Sequence, residues 1–300
     1  MTAQCRHCDN YVTIPRLAHG AVSGDALSPK AVPMLLKYRK VFNIGLQNTF
    51  VYRWNFLLRS LFGLVPLAGT VLIWRAIFAG SGESVGTYDY SGMIWYFLMV
   101  ILVDNLVTPT EDEWQIAADI REGQISAFMI KPLNYLGYRF ALFISYRLVY
   151  TVVTVLPLGL AFFWFREVIV LPKSLATWPI FFLSAAMSAC ISFLISYTLA
   201  LAAFWILEIS TIVFILFSFE YFLSGQTFPL DIMPGWFQAI LQWLPFPYEL
   251  FFPVQVFLER VEGAALWRGL AIQAGWVVIT YGISQMVWRR GIQRYQAVGG

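Results

Sequence analysis

Charged residues are scarce in this chain of 300 residues: Asp, Glu, Lys and Arg make up 12% of it, against about 25% in ordinary soluble domains. Hydrophobic residues account for 59%. So much apolar surface needs lipid around it, which excludes a soluble globular protein and predicts a membrane protein. The net charge of +3 is small and the basic residues form no patch, so we expect no nucleic acid partner.

Cysteine and histidine are also rare, with three Cys and two His in the chain. Three cysteines cannot build a disulfide framework. Cys5 and Cys8, with His7 and His19 nearby, supply ligand types for zinc, but the second pair that a structural zinc site needs is missing. We therefore predict no metal site and a flexible cytoplasmic tail over residues 1–33, with a zinc site in that tail as the alternative.

The motifs of phosphate-binding loops and of metalloproteases are missing as well. The phosphate-binding pattern G-x-x-x-x-G-K-[ST] and the metalloprotease pattern H-E-x-x-H occur nowhere. A hydrolase inside the membrane would need paired acids, or a serine with a base. Asp104 is instead a single acid in the second predicted span, and Glu208 and Glu220 lie near opposite ends of the fifth. We predict that the chain is not an enzyme and holds no cofactor of its own.

Long apolar runs occupy most of the remaining sequence. A bilayer core about 30 Å thick needs roughly 20 apolar residues as helix. The run from Leu175 to Glu220 is interrupted only by Glu208 and is about twice as long as one span needs, so it must hold two spans. We predict an all-α integral membrane protein with a membrane domain over 34–295 and a C-terminal tail over 296–300. The predicted spans are residues 55–78, 90–108, 140–165, 176–203, 207–224 and 266–288.

Lysine and arginine are unevenly distributed between the segments that join these spans. Eleven lie in one alternating set of segments and four in the other. The eleven are Lys30, Lys37, Arg39, Lys40, Arg53, Arg121, Lys131, Arg139, Arg289, Arg290 and Arg294, and the four are Arg166, Lys173, Arg260 and Arg268. By the positive-inside rule the first set is cytoplasmic, which places both termini there. No internal repeat is evident, which argues against a secondary transporter.

Residues 34–53, before the first span, show helical periodicity. Apolar residues such as Tyr38 and Phe42 recur on one face, and Lys37 and Lys40 lie opposite. A basic amphipathic segment of this kind is typical of a helix that lies in the membrane interface. A cytoplasmic extension of the first span is the alternative.

Residues 225–253 are rich in proline and aromatic side chains, and five of the chain's prolines lie there. The segment is too broken to span a membrane and too apolar for an ordinary loop in water. Broken backbone at membrane depth is tolerated only where protein or a cavity buries it. We therefore predict short re-entrant helices in the outer leaflet before the sixth span. The residues that mark this segment are Gly225, Pro229, Pro234, Trp236 and Pro245.

Two stretches of the chain resemble one known family. IREGQISAFMIKPL (Ile120–Leu133) is similar to the cytoplasmic loop of type-2 ABC exporter permeases, with its Gly and its Lys-Pro. SGQTFPLDIMPGWFQAILQWLPF (Ser224–Phe246) resembles their outer segment, with Ser-Gly, Pro-Leu, Pro-x-Trp and Leu-Pro-Phe in order. Together with the six-span pattern, the resemblance covers about residues 34–295.

The resemblance implies the transmembrane subunit of a bacterial ATP-binding-cassette transporter in the cytoplasmic (inner) membrane. It also implies separate ATPase subunits that carry ATP and Mg, and a second permease chain that is identical or homologous. A coupling helix after the second span would dock on the ATPase. The residues that match it are Ile120, Arg121, Glu122, Gly123, Gln124, Ile125, Phe128, Met129, Lys131 and Pro132. Phe128 is expected to be the main anchor and to play no part in the chain's own fold. An ordinary capped loop is the alternative.

Charged residues inside the predicted spans are costly and usually face the interior of a helix bundle. They are candidates to line a path through the membrane or to pair between helices: Asp104, Arg147, Glu208, Glu220 and Arg75. We expect Asp104 to pair with Arg147 or Arg59, and Arg75 to share the outer half of the bundle with Glu220. Static pairs, or side chains that reach out to the interface from span ends, are the alternative.

The sequence therefore predicts a permease subunit of an ABC exporter, which forms the substrate path within the lipid bilayer and couples to ATP hydrolysis on a partner chain. A membrane-embedded enzyme or scaffold that acts on a lipid without an ATPase is the alternative. Neither the substrate nor the identity of the second permease follows from the residues.

Overall fold

The computed structural model describes residues 34–51, 53–81, 84–109, 112–131, 133–167 and 169–295, and these ranges are almost entirely helical. Their α-helices are α1 (Met34–Val51), α2 (Arg53–Ser81), α3 (Tyr90–Val107), α4 (Asp112–Arg121), α5 (Gln124–Met129), α6 (Tyr135–Trp164), α7 (Thr177–Ala200), α8 (Ser210–Leu223), α9 (Gly235–Leu241), α10 (Phe251–Phe257) and α11 (Gly263–Arg294). Short 3-10 helices cover Leu201–Phe204, Leu230–Ile232 and Phe246–Tyr248. The predicted tails, residues 1–33 and 296–300, lie outside the described residues.

A helix occupies each of the six predicted spans. Four of the stretches that the structure describes are long and apolar enough to cross a membrane. They are Leu61–Gly80, Tyr90–Arg121, Thr177–Phe204 and Gly263–Arg294. The 14-residue helix α8 is apolar but shorter. The chain is thus a helical membrane protein, and a total of six crossings stays a prediction.

Helix α6 begins earlier than the predicted third span, at Tyr135 instead of residue 140. The cause is a helix cap. The Asn134 side chain accepts hydrogen bonds from the backbone N–H groups of Leu136 (2.9 Å) and Gly137 (3.5 Å). A cap of this kind satisfies donors that the first helical turn leaves unpaired, so the helix extends below the apolar run.

Helix α3 forms the centre of the fold. It packs against α2, α6, α7 and α10, and Met93–Val100 is buried without interruption. A helix that is apolar on every side is stable only when neighbours cover it all round. The buried residues around α3 form one hydrophobic cluster. A second cluster lies around Phe193 and Tyr197 of α7 and includes residues of α4, α5 and α6.

Helix α1 lies along the first half of α6. A Cβ added at Gly45 would collide with the Ser145 hydroxyl of α6, and one added at Gly137 would lie 2.9 Å from the Tyr38 hydroxyl. Glycine at these two positions therefore leaves room for the side chains of the facing helix. The helix predicted over residues 34–53 is confirmed as a helix, and its position relative to the membrane stays a prediction.

The segment predicted to be broken and partly sheltered consists of short helices. Pro229, Pro234 and Pro245 each stand directly before one of them. Gly225 contributes a carbonyl that accepts a hydrogen bond from Tyr96 of α3 (2.6 Å), and α10 is buried along most of its length. Trp236 is 68% exposed, so only part of the segment is covered by the chain itself.

A buried glutamine joins this segment to the long helices. Gln273 of α11 is fully buried, and its side-chain nitrogen donates to the Ser188 hydroxyl (2.9 Å) and the Tyr248 carbonyl (2.9 Å). Its side-chain oxygen accepts from the Ser184 hydroxyl (3.0 Å). Satisfied polar networks in a nonpolar interior fix the register of the elements that they join. The outer segment is therefore held against α7 and α11.

Candidate functional site

Two regions carry the predicted site residues. The first is a sharp corner between α4 and α5, which we call the inner corner (residues 119–131). Gly123 has a φ of 81° at the end of α4, a left-handed conformation that glycine adopts readily. The turn separates the stretch predicted to be a coupling helix into two pieces, with α5 only six residues long.

Most apolar side chains of the inner corner face the chain's own core. Ile120 and Ile125 are 3% and 1% exposed and belong to the buried cluster around Phe193. Phe128 is half-buried, with ring centroids 5.1 Å from Tyr135 and 4.6 Å from Tyr138. These three residues are therefore not a free docking surface. The expectation that Phe128 plays no part in the fold was wrong for that reason.

Two apolar residues remain open at the end of α5. Met129 is 54% exposed and Ile130 is 86% exposed. Lys131 is exposed beside them, with its ammonium 5.0 Å from the Phe128 ring centroid. Pro132 lies outside the described residues. Ile130 was missed in the sequence analysis, although an isoleucine directly before Lys-Pro in a polar loop is itself unusual.

Polar contacts fasten the inner corner to three other parts of the chain. Asp119 forms an ion pair with Arg139 of α6 and accepts a hydrogen bond from the Tyr135 hydroxyl (2.7 Å). Arg121 donates to the Leu207 carbonyl in the turn between α7 and α8 (3.0 Å). Near the end of α11, the Tyr295 and Ser126 hydroxyls lie 3.1 Å apart and share a hydrogen bond. Glu122 and Gln124 are exposed and contact each other at 3.2 Å.

The second region is a polar cavity of about 920 Å³ among α3, α4, α6, α7, α8 and the start of the α10 segment. Its lining includes three of the predicted charged residues, Asp104, Arg147 and Glu220. It also includes Glu113 and Glu249, which the sequence analysis did not single out. The structure therefore brings together residues from five stretches of the chain that are far apart in sequence.

Arg147, the basic residue in the described lining of this cavity, already has partners within the protein. The Arg147 guanidinium donates to the Asn105 carbonyl (3.0 Å), lies 5.3 Å from the centre of the Tyr150 ring, and is close enough to Asp104 to act on its charge. Asp104 accepts a hydrogen bond from the Thr108 hydroxyl (2.6 Å). Asp104 and Arg147 therefore line the same cavity, and a direct pair between them stays a prediction.

Glu249 is the most deeply buried acid in the cavity lining. Its side chain is 3% exposed, and neither carboxyl oxygen makes a hydrogen bond of normal geometry with the described residues. Glu220 of α8 and Ser192 of α7 are its polar neighbours. One acid within the apolar sequence FPYELFF was the signal that could have identified it.

Two predicted charges lie away from the cavity. Arg75 is exposed on α2 and is not part of the lining, and its place in the same outer half of the bundle as Glu220 stays a prediction. Glu208 is exposed in the turn before α8, where its carboxylate accepts from the backbone N–H of Ser210 (3.0 Å). Glu208 therefore binds the first backbone N–H group of α8 and does not line the cavity.

The described residues hold no group of acids, histidines or cysteines arranged for a metal ion. The sequence at 82–86, GESVG, does match the G-x-S-x-G pattern of many hydrolases. That pattern acts on a sharp turn between a strand and a helix. Ser84 is instead exposed just before a tight turn closed by the bridge from Val85 to Tyr88, so the motif lacks the setting that the chemistry requires.

With both regions described, comparison with known proteins decides the family. A family model described as ABC-2 family transporter protein matches residues 64–299. The chain belongs to the ABC-2 transporter family. The match contains the cavity and the whole inner corner, so both lie within the ABC-2 region. This ABC-2 protein is a multi-pass membrane protein and the membrane component of a transporter. A search of curated proteins found none that matches it.

Proposed function

We propose that this ABC-2 protein is the permease subunit of an exporter and that its energy comes from ATP hydrolysis on a separate subunit docked at the inner corner. One observation carries the docking site. Met129 and Ile130 stand open at the end of α5, while the rest of the corner is held in place by contacts within the chain. Exposed apolar residues next to charged ones are typical of a protein interface.

The inner corner can transmit a displacement because packing and an ion pair attach it to the rest of the chain. A load on Ile130 passes through α5 to Ile125 in the buried cluster, and through α4 to the ion pair of Asp119 with Arg139. Packed interiors yield little when they are displaced. Movement of the docked ATPase would therefore displace α4 and α6 together.

The proposal includes the predicted arrangement in the membrane: six spans, both termini in the cytoplasm, and the bacterial inner membrane as location. The excess of Lys and Arg in the inner segments supports it. A second permease chain, identical or homologous, is proposed to complete the transporter. The apolar outer faces of α2 and α8, where Phe62 and Phe219 are 71% and 60% exposed, are available to lipid or to that chain.

Recovery of the ATPase with tagged permease tests the docking site. Ile130→Asp should reduce recovery at least about tenfold, because an apolar anchor at an interface commonly contributes about 2 kcal/mol. Leu175→Asp is the matched control, since Leu175 is 87% exposed in the connection before α7, on the predicted outer side. It should leave recovery unchanged.

Two results would contradict the proposal. Equal loss with both variants would show that the effect is not specific to the inner corner. Purification of the permease without any ATPase, together with turnover of a lipid by the chain alone, would favour a membrane enzyme.

A further inference from the structure

The cavity is strongly acidic for a site enclosed by membrane helices. Among the described residues of its lining, four carry carboxyl groups and one carries a guanidinium. The carboxyl groups belong to Asp104, Glu113, Glu220 and Glu249. The guanidinium of Arg147 donates to the backbone carbonyl of Asn105 (3.0 Å). A cleft lined by one sign of charge between walls of low dielectric concentrates the field and attracts the opposite charge.

Glu249 gives an independent reason to look for a ligand. A carboxylate that is 3% exposed and lacks a hydrogen bond of normal geometry is costly to keep. Its polar neighbour Glu220 is itself an acid, which adds repulsion when both are ionised. Intramembrane acids of this kind are usually retained because they bind something. A cation placed between Glu249 and Glu220 would supply the missing partner.

The remaining lining indicates what sort of cation would fit. Aromatic side chains also line the cavity, among them those of Trp114, Phe214, Phe217, Tyr221 and Phe222. Aromatic faces attract cations and also accept apolar groups. A volume of about 920 Å³ lies near the upper end of the range for sites that enclose a small organic molecule. A bare metal ion would leave most of this space unused.

We propose that the cavity binds an amphipathic organic cation, with Glu249 and Glu220 as partners of its charge and the aromatic side chains around its apolar body. This inference rests on the proposed permease function, because it assigns a substrate class to the path that the permease forms. It excludes organic anions, which the four carboxyl groups would repel.

The test is equilibrium binding of two probes to the full-length permease in nanodiscs of phosphatidylcholine. Tetraphenylphosphonium and tetraphenylborate have nearly the same size and aromatic surface but opposite charge. Empty nanodiscs measure partition into lipid, which is subtracted. We expect saturable binding of the phosphonium and none of the borate. Equal binding of both probes, or no saturable binding of the phosphonium, would overturn the proposal.

Variants then locate the binding site. Glu249→Gln and Glu220→Gln should each weaken phosphonium binding about tenfold or more, as loss of a charge partner worth about 1.4 kcal/mol would do. Glu167→Gln is the control, because Glu167 is exposed in the connection after α6. Unchanged affinity in both cavity variants would overturn the assignment. If one variant does not fold, the other variant and the comparison of the two probes still decide.

The binding assay needs no ATPase, so it is independent of the recovery experiment. Phosphonium binding by a permease that recovers no ATPase would contradict the proposed coupling alone. Recovery of the ATPase by a permease that binds neither probe would contradict the ligand class alone.

Discussion

Asp119 of α4 and Arg139 of α6 form an ion pair, and the Tyr135 hydroxyl donates to the same carboxylate at 2.7 Å. The Arg139 side chain is 5% exposed and that of Asp119 is 23% exposed. Arg139 also donates to the Tyr135 hydroxyl (3.0 Å) and to the Gln115 carbonyl (3.2 Å). The side chains of Asp119, Arg139 and Tyr135 thus join the inner corner to α6.

Loss of the Asp119 charge should destabilise the permease. Asp119→Asn would leave the buried guanidinium of Arg139 without its counter-charge, and removal of one partner from a buried pair costs about 3 kcal/mol. The measurement is the melting temperature of purified protein in detergent. Glu122→Gln is the control, since Glu122 is an exposed acid of the same corner. A melting temperature equal in both variants would show that the pair contributes nothing.

Truncation of Phe128 should also lower stability. Phe128→Ala removes ring contacts to Tyr135 and Tyr138, and for a half-buried phenylalanine we expect a loss of about 2 kcal/mol. Met129→Ala, at the exposed neighbouring position, should change the melting temperature little. An unchanged melting temperature in Phe128→Ala, with loss of ATPase recovery, would restore the interpretation of Phe128 as an external anchor.

Replacement of Glu249 should raise stability even though it weakens cation binding. Glu249→Gln removes a buried carboxylate that makes no hydrogen bond of normal geometry with the residues that the structure describes. Removal of such a group should raise the free energy of unfolding by about 1–3 kcal/mol when the cavity is empty. The melting curve without any cation measures this, and Glu167→Gln again serves as control. A lower melting temperature for Glu249→Gln would mean that the carboxylate supports the fold.

The connection before α7 should lose the hydrogen bonds that its Lys173 and Ser174 backbone N–H groups donate to Glu259 when the pH is lowered. Glu259 accepts hydrogen bonds from the backbone N–H groups of Ser174 (2.9 Å) and Lys173 (3.0 Å) and from the Thr177 hydroxyl (2.7 Å). The bonds from these two backbone groups, with a smaller contribution from the Thr177 hydroxyl, lower the pKa of Glu259 below its ordinary value of 4.5. Because the pKa is lower in the folded state, this stabilisation is present above about pH 4.5 and is lost as the pH falls through the folded pKa.

Hydrogen exchange of the Lys173 and Ser174 amides measures this change. After correction for the intrinsic pH dependence, protection in the wild type should fall as the pH drops below about 4.5, the ordinary pKa of this side chain. Glu259→Gln should show the low protection at every pH. A wild-type protection factor that is constant over this range would contradict the assigned role of Glu259.

The helices could be predicted from the sequence because their cause is local: an apolar run of sufficient length specifies a helix wherever it packs. The local sequence does not determine whether the apolar side chains of the inner corner face a partner or the chain's own core. Ile120 and Ile125 would show the same sequence pattern in either case. They are buried within the chain because Phe193 and Tyr197 of α7 pack in the same cluster. The start of α6 could not be placed by hydropathy because a polar cap at Asn134 determines it.

The cavity could be predicted only in part. Asp104, Arg147 and Glu220 stand out because they interrupt predicted spans, and the structure does bring them to one place. Glu249 lies in the proline-rich outer segment, which is not a predicted span, so this acid interrupts no span and was not singled out. Its importance arises only when the segment folds back and brings Glu249 beside Ser192 and Glu220, a contact between residues that are distant along the chain.

Helix α4 touches both regions at once. Glu113 and Trp114 at its start line the cavity, and Ile120 near its end is buried in the inner corner, about 10 Å further along at 1.5 Å per residue. Two binding events that bias one rigid element must obey reciprocal linkage. If a docked ATPase changes the affinity of the cavity for a cation by some factor, the cation must change the affinity for that ATPase by the same factor. A filled cavity would then be detectable from the cytoplasm as an altered strength of docking, before any ATP is hydrolysed.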